Sequence, residues 1–249
     1  MEEFSVKELE TFHRKSGQGD DQAVYDLVIG NLAISGDRDY DLTPNFSEED
    51  TNYALTLLVH DAAVNLYEVN AELNSEQFFD ELTGEMLERI DDVDALSEGI
   101  IWQDVHGKPL NETLTQIADY YGQNFEQASQ VETEKILENQ GFKGRADIVR
   151  EVDGETELRD IKMRYSSRRP VPAESEKFKI ACYALISREQ LDVDRFILEY
   201  PLQGTEVEVE PEDWFAEIAD TAEEYRQMLE TARETEAEIL QEEMGLNNN

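Results

Sequence analysis

Cysteine is almost missing from this sequence of 249 residues, since Cys182 is the only one. A single cysteine excludes a disulfide framework and any zinc or iron–sulfur site that needs several cysteines. No apolar run reaches membrane-spanning length, and the segment after Met1 lacks the features of a secretory signal. A glycine-rich loop ending in Gly-Lys-Ser/Thr is also absent, which excludes a helicase motor in this chain. These absences predict a cytoplasmic protein with no membrane partner.

Positive charge is also scarce. The chain has 21 lysines and arginines against 59 aspartates and glutamates, a net charge of −38. The acids are spread along the whole chain and do not form an acidic tail. Dispersed acidity of this kind keeps a protein soluble where salt screens its self-repulsion. It predicts a halophilic protein from a host that accumulates salt in its cytoplasm. The alternative is an acidic protein that binds basic partners or mimics DNA.

The few cations are not evenly distributed. Nearly half of the 21 lie between Lys143 and Lys179. A basic cluster in an otherwise acidic chain is suited to contact phosphate groups. The alternative is that these cations pair with neighbouring acids on a solvated surface.

A predicted hairpin lies inside this basic cluster. Asp153 and Gly154 favour a two-residue turn between residues 144–149 (GRADIV) and 158–162 (LRDIK). Asp147 and Asp160 are equally far from that turn, so they face each other with Cβ atoms about 5 Å apart. Strand alternation places Lys162 on the face of Asp160, next to Arg145.

The two faces of this hairpin predict different roles. One face reads as core and carries Ala146, Ile148, Val152, Ile161 and Met163. The other face carries two acids, which resist ionising together unless a cation lies between them. A hard divalent ion such as Mg²⁺ prefers carboxylate oxygens, and a nearby lysine can orient water or neutralise charge on phosphorus. The alternative is a surface hairpin with a cross-strand salt bridge.

The residues of the hairpin resemble the core of the PD-(D/E)XK nucleases, specifically their RecB-like branch. That branch includes the nuclease domains of recombination helicases and the CRISPR-associated exonucleases. The resemblance extends from about residue 131 to residue 211. It implies that Asp147 and Asp160 bind Mg²⁺ or Mn²⁺ and that Lys162 is the catalytic lysine. Because the cysteines are missing, no iron–sulfur cluster is expected.

Two further positions follow from the resemblance. Family members often carry a Gln, three intervening residues and a Tyr on a helix beside the site. Here Tyr183 matches the Tyr, and Lys179 replaces the Gln. The family also often has a metal-site histidine on an upstream helix. His60, in an apolar helical run, is the preferred candidate; His106 is the alternative, and a core role for His60 also stays open.

The resemblance implies DNA as the partner, as single strands or duplex ends. The residues expected to contact it are Arg145, Arg164, Arg168, Arg169, Lys179 and Tyr183. A repair or CRISPR protein is a further expected partner. The predicted function is a metal-dependent deoxyribonuclease, expected to act as an exonuclease on DNA ends or single strands in repair, recombination or CRISPR adaptation. The alternative is a catalytically silent nucleic-acid-binding module with a nuclease fold.

The predicted fold is α/β, with a restriction-endonuclease-like mixed sheet flanked by helices and an N-terminal helical lobe. Residues 1–129 form that lobe, and residues 130–249 form the nuclease core with its C-terminal helix, within one compact unit. The local patterns that support this division are helices near 47–71, 75–89, 110–127 and 176–185, strands near 131–136, 195–200 and 206–210, and a helix opened by Pro211.

Overall fold

A computed structural model describes residues 4–18, 59–60, 62–64, 66, 75–91, 104–105, 108–124, 128, 130–139, 142–163 and 172–243. Its helices are α1 (Val6–Gly17), α2 (Ser75–Asp91), α3 (Leu110–Asn124), α4 (Glu174–Ser187) and α5 (Phe215–Glu243). Its strands are β1 (Phe4–Ser5), β2 (Asp104–Val105), β3 (Lys108–Pro109), β4 (Gln130–Asn139), β5 (Phe142–Val152), β6 (Glu155–Ile161), β7 (Arg195–Tyr200) and β8 (Thr205–Glu208). None of the described helices has the length and apolar character needed to cross a membrane.

Most of the predicted elements are confirmed. The helices expected at 75–89, 110–127 and 176–185 and the strands expected at 131–136, 195–200 and 206–210 are present, with ends that differ by up to three residues. Pro211 opens a short 3₁₀ turn that leads into α5. The helix predicted over 47–71 lies mostly outside the described residues, although residues 59, 60, 62–64 and 66 are helical. The division at residue 129 stays a prediction.

The main sheet is mixed and has six strands. β5 and β6 form an antiparallel hairpin, β6 pairs in parallel with β7, and β7 pairs antiparallel with β8. β4 runs antiparallel along the outer side of β5 over nearly its full length. This mixed sheet with flanking helices confirms the predicted restriction-endonuclease-like α/β class.

The inner side of β5 has two partners with a gap between them. β1 pairs in parallel with Phe142 and Lys143, and β6 pairs with residues 148–152. In the part of the chain that the structure describes, residues 144–147 have no strand partner on this side. A gap in a ladder leaves backbone groups that other side chains can bind. Asp147 lies at the edge of this gap.

The hairpin turn forms as the sequence predicts. Asp153 has φ +53° and Gly154 has φ +88°, which is the geometry of a type I′ turn. The ladder pairs Val152 with Glu155 and continues to Ile148 with Arg159. The next positions in this register are Asp147 and Asp160, which therefore stand at the open end of the hairpin.

The expectation of one buried face and one metal face is wrong for most of the hairpin. Helices cover both faces of the central strands, so both are buried. Val149 and Leu158 pack with α1, α4 and α5 in a first core. Ile148 and Ile161 pack with α2, α3 and the helical residues around His60 in a second core. Both cores are possible because β5 and β6 lie in the middle of the sheet.

The alternation of β5 is interrupted at Asp147. Ala146 packs in the first core and Ile148 in the second, although two residues apart on a regular strand share a face. On β4, Thr133 pairs with Ile148 and Lys135 with Ala146, so Glu134 stands opposite Asp147. Glu134 has φ +52°, a left-handed conformation that disturbs the pleat. The irregularity therefore falls at Asp147, the residue that lies at the edge of the gap in the ladder.

Candidate metal centre

Two hydrogen bonds close the gap in the sheet and fix the position of Asp147. The Asp147 carboxylate accepts the backbone N–H of Ile161 at 2.7 Å through its Oδ2. The Tyr183 hydroxyl, from α4, donates to the carbonyl oxygen of Arg145 at 2.8 Å. Side chains thus satisfy backbone groups that a regular ladder would have paired. The carboxylate of Asp147 is thereby tied to the end of β6.

Asp160 is fully buried and contacts two lysines. Its Oδ1 accepts a hydrogen bond from Lys179 Nζ at 2.8 Å. Its Oδ2 forms an ion pair with Lys162 Nζ but has no hydrogen-bond partner among the described residues. Lys162 itself is held by its backbone, because its N–H donates to the Glu199 carbonyl at 2.8 Å and so extends the β6–β7 ladder.

His60 approaches the other aspartate. Its Nε2 lies 3.3 Å from Asp147 Oδ2, the same oxygen that binds Ile161. Of the two histidines considered for the metal site, His60 is therefore beside the acids, and His106 lies outside the described residues. His13 packs against Phe178 and Glu217. Metal ligation by His60 stays a prediction.

Positive charge around Asp147 controls its protonation. Burial opposes the ionisation of Asp147, but the charges of His60, Lys179 and Lys162 outweigh it and hold the pKa of this carboxyl well below its usual range. Burial likewise opposes the charged form of Lys179, but Asp160 prevails and raises the pKa of this lysine. Burial raises the pKa of the Tyr183 hydroxyl, which therefore stays protonated. The site consequently holds an ionised Asp147, a charged Lys179 and a neutral Tyr183.

The described donors fit a hard divalent ion. Within the described ranges, no three His, Cys, Asp or Glu side chains come together in a way that could hold a metal ion unaided. Mg²⁺ does not need such a cage, because it is commonly bound by one or two carboxylates together with water and substrate phosphate. Asp147 and Asp160 supply two carboxylates, and a bound ion would share the buried Asp160 Oδ2 with the Lys162 ammonium. The pair therefore fits Mg²⁺ or Mn²⁺.

The residues predicted to contact DNA differ in their surroundings. Arg145 is more than half exposed and forms an ion pair with Glu134. Lys179 contacts Asp160, and Tyr183 is almost completely buried, a position that favours a positioning role. Arg164, Arg168 and Arg169 lie outside the described residues. DNA contact by these six residues stays a prediction.

Some cations of the basic cluster do not face solvent at all. Arg150 and Arg159 are each 3% exposed, and both donate to the buried carboxylate of Glu157. Arg159 also bonds Glu199, whose other carboxylate oxygen accepts the Tyr121 hydroxyl at 3.1 Å. These two arginines therefore pair with neighbouring acids, as the alternative expected, but in the interior and not on a solvated surface.

Sequence reasoning missed two acids near the site. Glu134 lies opposite Asp147, and no sequence pattern in β4 predicts its left-handed backbone conformation. Glu199 holds Arg159 with its side chain and Lys162 with its carbonyl. Its signal was available, because this acid directly follows the apolar run 196–198 inside a strand, and a buried acid needs a partner.

Gly144 is required by the close approach of α4 and α1 to the gap. A Cβ at this position would lie 2.7 Å from Tyr183 Cε1 and 2.8 Å from Val6 Cγ2. We expect Gly144→Ala to lower the free energy of unfolding by about 1–3 kcal/mol, because two packed side chains must move. Thermal or urea unfolding followed by circular dichroism in molar KCl measures this.

The matched control for that prediction is Gly84→Ala. Gly84 lies in α2, and a Cβ there would meet nothing within 4 Å. Alanine should therefore stabilise the helix by up to about 1 kcal/mol. A Gly144→Ala protein as stable as the parent chain would show that the contact of Tyr183 with this strand is loose.

Comparison with known proteins identifies the class. A family model described as the PD-(D/E)XK nuclease superfamily matches residues 40–249. That match covers most of the chain, so the chain belongs to the PD-(D/E)XK nuclease superfamily. No curated protein matches the chain significantly.

One solved structure among the matches is titled "Crystal structure of SSO0001". It is 21% identical over 39% of this chain, with a TM-score of 0.28. The match spans half of that structure's own chain.

Proposed function

We propose that this protein is a metal-dependent deoxyribonuclease of the RecB-like branch. The observation that carries the proposal is the meeting of Asp147, Asp160 and Lys162 at one gap in the sheet, in a chain that belongs to a nuclease superfamily. DNA ends or single strands are the proposed substrate, and exonuclease action is the proposed mode. Repair, recombination or CRISPR adaptation is the proposed setting, with a protein partner from the same process.

The proposed mechanism assigns a role to each of four site residues. Asp147 and Asp160 would hold Mg²⁺ or Mn²⁺. When bound, such an ion supplies a Lewis acid that stabilises charge developing on the phosphate. Lys162 lies beside Asp160, from where its ammonium would orient the attacking water or neutralise charge on phosphorus. His60 lies 3.3 Å from Asp147 Oδ2 and would help to hold this carboxylate in place.

The net charge of the chain determines the conditions of the proposed reaction. A charge of −38 repels both DNA and other parts of the same protein. At molar salt the screening length falls to about 3 Å, so contacts made directly at the site remain while long-range repulsion is removed. We therefore propose a halophilic enzyme that acts at high salt in the cytoplasm.

Cleavage of end-labelled single-stranded and duplex DNA in molar KCl tests this function. We expect cleavage with Mg²⁺ or Mn²⁺, none with EDTA, and a fall of at least about a hundred-fold for Lys162→Ala, a usual effect of removing a general acid or base. Lys177→Ala removes a lysine from α4 and is the matched control. A folded protein that binds DNA without metal-dependent cleavage would instead support the silent binding module.

A further inference from the structure

Asp160 contacts more cations than a metal-binding carboxylate needs. Lys179 binds Oδ1 at 2.8 Å, and Lys162 lies against Oδ2. The lysine after the second acid is the one that the nuclease motif accounts for. Lys179 comes from a different element, α4, and holds the remaining oxygen. The Lys179 ammonium therefore occupies the position at which a second metal ion would bind Asp160.

Lys179 is firmly placed. Its side chain is 20% exposed, and its Nζ lies 5.5 Å from the centroid of the Tyr183 ring. A cation near the face of an aromatic ring is stabilised by the ring's electrons. Tyr183 is fixed in turn by its hydrogen bond to the Arg145 carbonyl. Asp160 and Tyr183 thus hold the ammonium from two sides.

The ammonium groups of Lys162 and Lys179 already match the carboxylates of Asp147 and Asp160 in number, and His60 lies beside Asp147 as well. One divalent ion would therefore leave an excess of at least two positive charges, which a phosphodiester reduces by one. A second divalent ion would add two more positive charges close to the first ion. The carboxylates that could offset them are already paired with lysines, so the added repulsion would be strong. The described residues therefore disfavour a second ion.

We propose that Lys179 is a built-in cation that takes the place of a second divalent ion at Asp160, so that the site binds one Mg²⁺ or Mn²⁺ per chain. This inference rests on the proposed metal-dependent function. It assigns Lys179 to the metal centre as a positioning residue. It also separates the role of Lys179 from that of a residue that only contacts phosphate.

The test counts bound ions directly, without DNA. Mn²⁺ is titrated into the full chain in molar KCl and followed by calorimetry and by the electron paramagnetic resonance signal of free Mn²⁺. We expect one Mn²⁺ for the parent chain, and two for Lys179→Gln, with the first bound about ten-fold more tightly because a like charge is gone. Lys179→Arg keeps the charge and should bind one.

Two controls make the outcomes distinct. Lys177→Gln changes the charge of α4 by the same amount and should leave both number and affinity unchanged. Asp147→Asn should abolish binding; if it does, the proposed metal centre stands whatever Lys179 does. Two ions on the parent chain, or one ion with unchanged affinity on folded Lys179→Gln, would overturn the role of Lys179. No Mn²⁺ on any variant would overturn the metal centre as well.

Discussion

Asp160→Asn should reduce metal-dependent DNA cleavage by about a thousand-fold or more. Metal ions contribute several kcal/mol of transition-state stabilisation, and each 1.4 kcal/mol is about a ten-fold change in rate. Asparagine keeps the shape of a side chain that is fully buried, but it removes the charge that attracts a divalent ion. The rate is measured under single-turnover conditions in molar KCl with saturating Mn²⁺, and circular dichroism verifies the fold.

Asp153→Asn is the matched control for that substitution. Asp153 lies on the same hairpin, is exposed, and has φ +53°, which asparagine adopts readily. It makes the same chemical change outside the site, so cleavage should be unaffected. If folded Asp160→Asn keeps cleavage within ten-fold of the parent rate, Asp160 is not a metal ligand and the mechanism proposed here is incorrect.

Arg159→Met should lower the free energy of unfolding by about 3–5 kcal/mol, the usual loss when one partner of a buried ion pair is removed. Without Arg159, the Glu199 carboxylate stays 1% exposed with the Tyr121 hydroxyl on one oxygen and no cation on the other among its described contacts. Glu157 keeps Arg150 as a partner, so the deficit falls mainly on Glu199. Urea unfolding in molar KCl measures the change.

Two further substitutions show whether the loss of stability in Arg159→Met comes from a buried ion pair. Arg226 pairs with Glu223 at 3.3 Å on the surface, and Arg226→Met should change stability by less than about 1 kcal/mol. Adding Glu199→Gln to Arg159→Met removes the uncompensated charge and should recover part of the loss. A double-mutant cycle of these two substitutions isolates their coupling. An Arg159→Met protein within 1 kcal/mol of the parent would mean that water or another cation reaches Glu199.

The same ion pairs affect the metal centre through the backbone. Arg159 precedes Asp160 on β6, and the Glu199 carbonyl binds the N–H of Lys162. A shift of β6 against β7 would therefore move an acid and the lysine together. Folded Arg159→Met should cleave more slowly than the parent chain, whereas Arg226→Met should cleave at the parent rate.

Local patterns in the sequence were enough to predict the hairpin and its register. The turn residues Asp153 and Gly154 placed Asp147 opposite Asp160, because a two-residue turn leaves only one pairing. The strand at 195–200 and the helix around Tyr183 were likewise visible in short apolar runs. These features depend on neighbours within a few residues along the chain.

The rest depended on contacts between distant segments. Nothing near the hairpin indicates that β7 and two sets of helices cover it, so both of its faces are buried where one was expected. The interruption at Asp147 needs Glu134 from another strand, and the cation on Asp160 comes from α4. The sequence could name Lys179 as a departure from the family pattern, but its place at Asp160 required the structure.

The pairing of β1 with β5 has a consequence for the order in which this protein folds. Phe4 pairs with Phe142, so more than half of the chain separates the two strands. Contacts of such high sequence separation form late, because a long loop must close first, whereas the β5–β6 hairpin can form early. We therefore expect β1, which borders one side of the gap, to pair with β5 after β6, which borders the other side. The proposed nuclease activity should therefore appear only in the last step of folding, when the N-terminal segment docks.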